Sequence, residues 1–110
     1  MVRKLYLTII TVLSFSAAAF AQSGAGSLKG TIKDAKTGEP IPFANVVVEV
    51  GGIQLGNGQS NFDGEYQIKP LDPGSYDVKT SYVGYKPIKT TGVIISAGKI
   101  TTVDVKLESS

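Results

Sequence analysis

Asn61 to Tyr85, NFDGEYQIKPLDPGSYDVKTSYVGY, reads as a turn, a short strand, a second turn and a longer strand, closing on a Gly between two tyrosines. Asp63-Gly64 supplies the positive φ of a two-residue hairpin turn. Tyr66 and Ile68 alternate with Glu65, Gln67 and Lys69, the period of a half-buried strand. Pro73-Gly74 presets the next turn, because Pro fixes φ and Gly permits the left-handed residue. Tyr76, Val78, Thr80 and Tyr82 then share one face. The stretch therefore sets an all-β expectation, with Tyr66, Ile68, Tyr76 and Val78 turned inward.

The same alternation extends outward in both directions. Leu28, Gly30 and Ile32 alternate with Lys29, Thr31 and Lys33 in a first strand. Thr37-Gly38-Glu39-Pro40 turns the chain, and Pro40 and Pro42 keep the next segment extended. Phe43 to Val50 (FANVVVEV) is the strongest strand, with Ala44, Val46, Val48 and Val50 facing the core and partial cover over Val47. Gly51-Gly52 ends it. Gln54 to Ser60 is a weaker strand interrupted by Gly56 and Gly58. Beyond Tyr85, Pro87 withholds a ladder donor, which places its strand at an edge or a bulge. Val93 to Ile95 is a short apolar run, Ser96 to Lys99 a turn. Thr101, Val103, Val105 and Leu107 share a face of the last strand. Seven strands at this spacing, with no helical period and no fixed repeat after the N-terminus, predict a seven-stranded antiparallel β-sandwich over residues 28–108.

The N-terminus has a different character. Arg3 and Lys4 precede an eleven-residue run, Leu5 to Phe15, and Ala19-Phe20-Ala21 has the small-x-small form of a signal peptidase site. A spanning helix needs about 20 apolar residues, more than this run offers. Residues 1–21 are expected to be a signal peptide cleaved after Ala21, and residues 22–27 a flexible linker. The remaining 89 of the 110 residues suit one small domain, exported and without direct membrane insertion. Nine basic and nine acidic residues remain after Arg3 and Lys4 are removed, so no basic stripe favours nucleic acid. With no Cys and no His, the chain offers neither disulfides, lipid attachment to an N-terminal thiol, nor Cys/His metal sites. Nucleophile pairs built on His or Cys are equally absent. Gln59-x-Asn61-x-Asp63-Gly64 overlaps the start of a calcium loop, but Gln opens it and Pro70 stands where the bidentate Glu belongs. An Asx-type turn accounts for those residues. No catalytic residue, cofactor or metal is expected.

Gly30-Thr31-Ile32-Lys33-Asp34, then Thr37-Gly38-Glu39-Pro40-Ile41-Pro42 and Ala44-Asn45-Val46, resemble the opening of the carboxypeptidase regulatory-like domain. Asp63-Gly64-x-Tyr66-x-Ile68, Leu71-x-Pro73-Gly74-x-Tyr76 and Ser81-Tyr82-Val83-Gly84-Tyr85 continue the resemblance to about residue 108. It implies a transthyretin-like sandwich of the kind found at the N-terminus of TonB-dependent outer-membrane transporters of Bacteroidota. In that setting a plug and barrel come next, whereas this sequence stops at Ser110, implying either a free module or part of a longer product. The peptidase chemistry of the family's namesakes resides in a separate zinc domain and is not implied. The expected function is a non-catalytic module contacting an envelope protein in the periplasm or at the outer membrane. A carbohydrate-binding module and a structural spacer are the alternatives. Tyr85, beside the Gly84 break, and Pro87, on its edge, are the candidate contact residues for a partner or glycan.

Overall fold

The structure, a computed structural model, describes residues 24–110; the expected signal peptide lies outside the described residues. Eight strands succeed one another: β1 (Gly26–Asp34), β2 (Asn45–Val50), β3 (Ile53–Gln59), β4 (Glu65–Leu71), β5 (Gly74–Ser81), β6 (Ile88–Ile95), β7 (Ile100–Thr102) and β8 (Val105–Leu107). They form two four-stranded sheets. One runs β3-β2-β5-β6, antiparallel throughout. In the other, β1 pairs antiparallel with β4 on one side and parallel with β7 and then β8 on the other. β1 begins at Gly26, so the last two residues of the expected linker belong to a strand.

The all-β sandwich holds, with eight strands rather than seven. The expected last strand is broken at Val103-Asp104, and the cause is tertiary. Thr31 donates to Asp104 Oδ1 through its backbone nitrogen (3.0 Å) and its hydroxyl (3.2 Å). The Val103 nitrogen bonds the Lys29 carbonyl, while the Val103 carbonyl accepts the Tyr66 hydroxyl at 2.5 Å. A Cβ at residue 30 would lie 1.8 Å from the Val103 oxygen, so only Gly30 lets this crossing sit against β1. Val103, expected in the core, is accordingly half-buried. The parallel pairing of β7 and β8 with β1 also departs from a wholly antiparallel sandwich.

The core obeys the period-2 pattern. Leu28, Ile32, Val46, Val48, Val78 and Leu107 are wholly buried, and Ile68, Leu71, Val93, Ile95 and Val105 surround them. Each such aliphatic side chain contributes about 1.5–3 kcal/mol on leaving water. Tyr76 reaches its buried position with its hydroxyl on the Asp72 carbonyl, four residues upstream. Val50 is 45% exposed instead of buried, because it stands at the tip of the β2–β3 hairpin, past a register shift at Val48/Glu49. Asp63-Gly64 makes the tight turn expected of it but not a hairpin. It carries the chain from β3 in one sheet to β4 in the other, so the two strands pack without pairing.

Candidate functional site

The register sets Asn45 level with both Gln59 and Ser81. Loops 41–44, 60–64 and 82–87 therefore emerge at one end of the sandwich. Ile41 is buried there, its nitrogen bonded to the Ile32 carbonyl. The chain must then reverse into β2 within two residues, and it does so by placing Phe43 at φ 60°. A left-handed Phe costs on the order of 1–2 kcal/mol. Buried Ser60 holds it there. The Ser60 hydroxyl donates to the Ile41 carbonyl (2.7 Å) and accepts from the Ala44 nitrogen (2.9 Å). The Ser60 carbonyl takes the Phe43 N–H, and the Ala44 carbonyl takes that of Ser60.

This kink turns the Phe43 ring outward, where it meets Phe62 edge to face, centroids 5.1 Å apart and planes at 76°. Phe62 rides on a turn organised by Asn61, whose Oδ1 accepts from the nitrogens of Asp63 (3.0 Å) and Glu65 (2.9 Å). Gly64 completes the turn at φ 76°, where a Cβ would come within 2.6 Å of the Ile32 oxygen. Phe43 is 49% and Phe62 78% exposed. Two aromatic rings thus stand in solvent, Phe43 on backbone fixed by the buried Ser60 bonds and Phe62 on the exposed turn organised by Asn61.

Tyr85 and Pro87 sit at the same end. Pro87 is exposed immediately ahead of β6. Tyr85 is half-buried beside Tyr82, ring centroids 6.0 Å apart. Its hydroxyl donates to Asp34 Oδ2 at 2.8 Å, while Asp34 Oδ1 accepts from the nitrogens of Lys36 and Thr37. The Thr37 N–H, then the Tyr85 hydroxyl and the Lys36 N–H, hold the Asp34 carboxyl below its ordinary pKa; the bond to Asp34 pushes the Tyr85 hydroxyl up. The 82–86 loop also binds the chain's last residues, Lys86 N–H to the Glu108 carbonyl and Ser110 N–H to that of Gly84. Tyr85 thereby latches this loop to the β1–β2 turn. The sequence nominated Tyr85 and Pro87 but passed over Phe43, read as the first residue of a strand, and Phe62. A Phe set between Asn61 and Asp63 inside a turn was the available cue.

A shallow groove of about 700 Å³ crosses the outer face around β1, lined by Lys29, Thr31, Glu65, Gln67, Thr102 and Asp104. Tyr66 lies beneath it; burial, then the Asp104 charge, pushes its hydroxyl pKa up. Among the described residues no group of three acidic side chains is placed to hold a metal ion.

The model of the carboxypeptidase regulatory-like domain matches residues 27–108, the whole sandwich. The chain belongs to the carboxypeptidase regulatory-like domain family. The domain is 32% identical over 80 residues to human carboxypeptidase D, covering 73% of this chain and 6% of that protein. It is 29% identical over 108 residues to the TonB-dependent transporter Oar of Myxococcus xanthus, covering 96% of this chain and 10% of the transporter. In three dimensions it resembles a candidate carbohydrate binding protein from Bacteroides uniformis, at TM-score 0.62 and 20% identity over 76% of this chain and 41% of that one. The chain thus spans a small fraction of the curated relatives it matches.

Proposed function

We propose that this domain is a non-catalytic interaction module of the cell envelope, exported after cleavage at Ala21, that docks a protein partner of a TonB-dependent transport system. The similarity to Oar over nearly the whole chain supports the setting. The observation that carries the contact role is the Phe43–Phe62 pair, held in solvent by a left-handed Phe43. Backbone strain of this kind survives where the surroundings over-determine it, and it concentrates at ligand clamps. The perpendicular rings make a ridge rather than a flat platform, which suits insertion into a protein pocket better than stacking on a sugar. Val83, 92% exposed at the tip of the neighbouring loop, and Pro87 extend the same end.

The test places a photo-crosslinking residue at Phe62 and, as a control, at Lys79 on the outer face of β5. Crosslinks from Phe62 and not from Lys79 to an envelope protein are expected, with a wild-type glycan array left blank. Micromolar glycan binding abolished by Tyr85→Ala or Phe43→Ser would replace this reading with a carbohydrate-binding one.

A further inference from the structure

Among the described residues four strand edges of the two sheets are unpaired, and they are guarded unequally. β4 carries Glu65, Lys69 and Pro70, and β6 carries Lys89 with Pro87 just ahead of it. The Ile94 carbonyl of β6 is also taken by the Thr101 hydroxyl at 2.8 Å. β7 and β8 are three residues each, separated at Asp104. β3, IQLGNGQ, has neither charge nor proline. A bulge opposite Val48/Glu49 is its one irregularity. Charges, prolines, bulges and short length are what keep edges from pairing with another chain, and of these β3 has only the bulge at Leu55. The groove beside β3 is also uncharged, lined by Asn45, Val47, Gln54, Asn57, Gln59 and Ser81.

Exposed apolar side chains lie at both ends of this edge. Val50, Ile53 (67% exposed) and Leu55 (55%) stand at the hairpin end, Phe43 and Phe62 at the other. We infer that the occupant of this edge is a second copy of the chain, with the two β3 strands antiparallel about a two-fold axis near Gly56. That register sets Ile53 of one copy beside Gln59 of the other. It brings the Val50–Ile53 tip of each copy to the level of the Phe43–Phe62 ridge of its mate, twice. A two-fold contact requires such self-complementarity: what the first surface lacks, the second supplies at the symmetric position. The uncharged strand meets itself without like-charge repulsion. The inference rests on the reading of the Phe43–Phe62 pair as a contact surface and adds a second copy of the chain to the partners that surface meets. A seven-residue strand interrupted by a bulge, with two apolar corners, makes an interface below the standard size of about 1,600 Å², so the dimer is weak and concentration-dependent.

Sedimentation equilibrium of the purified chain from about 10 µM to 1 mM tests this, a range set by the small interface. The apparent mass should climb toward the dimer. Leu55→Lys, which places a charge on an exposed edge position, and Phe62→Ser should each hold the chain monomeric across the range, with unchanged far-UV circular dichroism confirming the fold. Because the sequence has no cysteine, mixing Ile53→Cys and Gln59→Cys chains under mild oxidation reads the register directly. The mixed disulfide should exceed the two homodisulfides combined, above the proportions of random pairing, in which the two amounts are equal; random proportions would count against the register. A wild-type chain monomeric at 1 mM, or a dimer indifferent to Leu55→Lys and Phe62→Ser, overturns the inference. If it does, Phe62 crosslinks to a different envelope protein would leave the proposed function standing, whereas their absence would remove that as well.

Discussion

Replacing Phe43 by Ala and, separately, by Gly isolates the backbone strain that holds the aromatic ridge. Both variants lose the ring, so its partial burial and its edge-to-face contact with Phe62 cancel in the comparison. The remaining difference is the cost of φ 60°. Ala retains the left-handed penalty, about 1–2 kcal/mol, and Gly escapes it. Gly gives back about 0.4–1 kcal/mol through the larger freedom of its unfolded chain. The net expectation is that Phe43→Gly is more stable than Phe43→Ala by about 0.5–1 kcal/mol, the reverse of the order at an ordinary strand position. For a domain of this length that is a difference of roughly 3–6 °C in Tm. Urea and thermal melts monitored by far-UV circular dichroism would resolve it, and tyrosine fluorescence, in a chain without Trp, gives a second probe. Equal stabilities, or Ala more stable than Gly, would mean that residue 43 is not held left-handed and that the ridge is not strained.

Thr80 is buried with its hydroxyl unpartnered among the described residues. An unpaired buried hydroxyl costs about 1–3 kcal/mol, so Thr80→Val should stabilise by about 1 kcal/mol in the same melts; a loss of stability would show that the hydroxyl has a partner. Tyr85→Phe should raise the Asp34 titration midpoint, read by carbon NMR, toward 3.8 without reaching it, since the Thr37 N–H remains. Asp34, depressed in the fold, contributes stability above pH 3.8 that is lost as pH falls through its folded value. Tyr85, raised in the fold, contributes below pH 10.0 and loses its share as pH rises through its higher folded value. An unmoved Asp34 midpoint in Tyr85→Phe would refute the latch.

The features legible in the sequence were those that depend on local alternation. The inward faces of β1, β2, β4 and β5 come from period 2, because each strand has one face against the opposite sheet. The break in the last strand was not legible. Thr101 to Leu107 alternates without interruption, and the break arises from Thr31, Gly30 and Tyr66, which are remote in sequence. The Asp63-Gly64 turn was legible as a turn but not as a corner, since Asn61 and Gly64 satisfy the same backbone groups in either role. Ile68 and Leu71 packing over Gly56 and Gly58 sets β4 across from β3. Phe43 was read as the head of a strand because it opens the run FANVVVEV. Its outward turn depends on Ser60, seventeen residues away. Tyr85 was nominated for its place beside the Gly84 break, whereas its engagement with Asp34 spans 51 residues and leaves no local trace.

The parallel pairing of β1 with β7 and β8 has a mechanical consequence. Gly26 and Leu107 lie at opposite ends of the sandwich, so tension applied through the two ends of the domain draws β1 one way and β8 the other along a common axis. The bonds between them, from Ser27↔Ile100 to Asp34↔Leu107, are then loaded in shear and together, with the Thr31–Asp104 pair among them. A hairpin pulled from its open end would yield one bond at a time; this arrangement must break its whole terminal ladder at once. Tension along this axis therefore meets more resistance than the same strands would offer if they were peeled apart from one end.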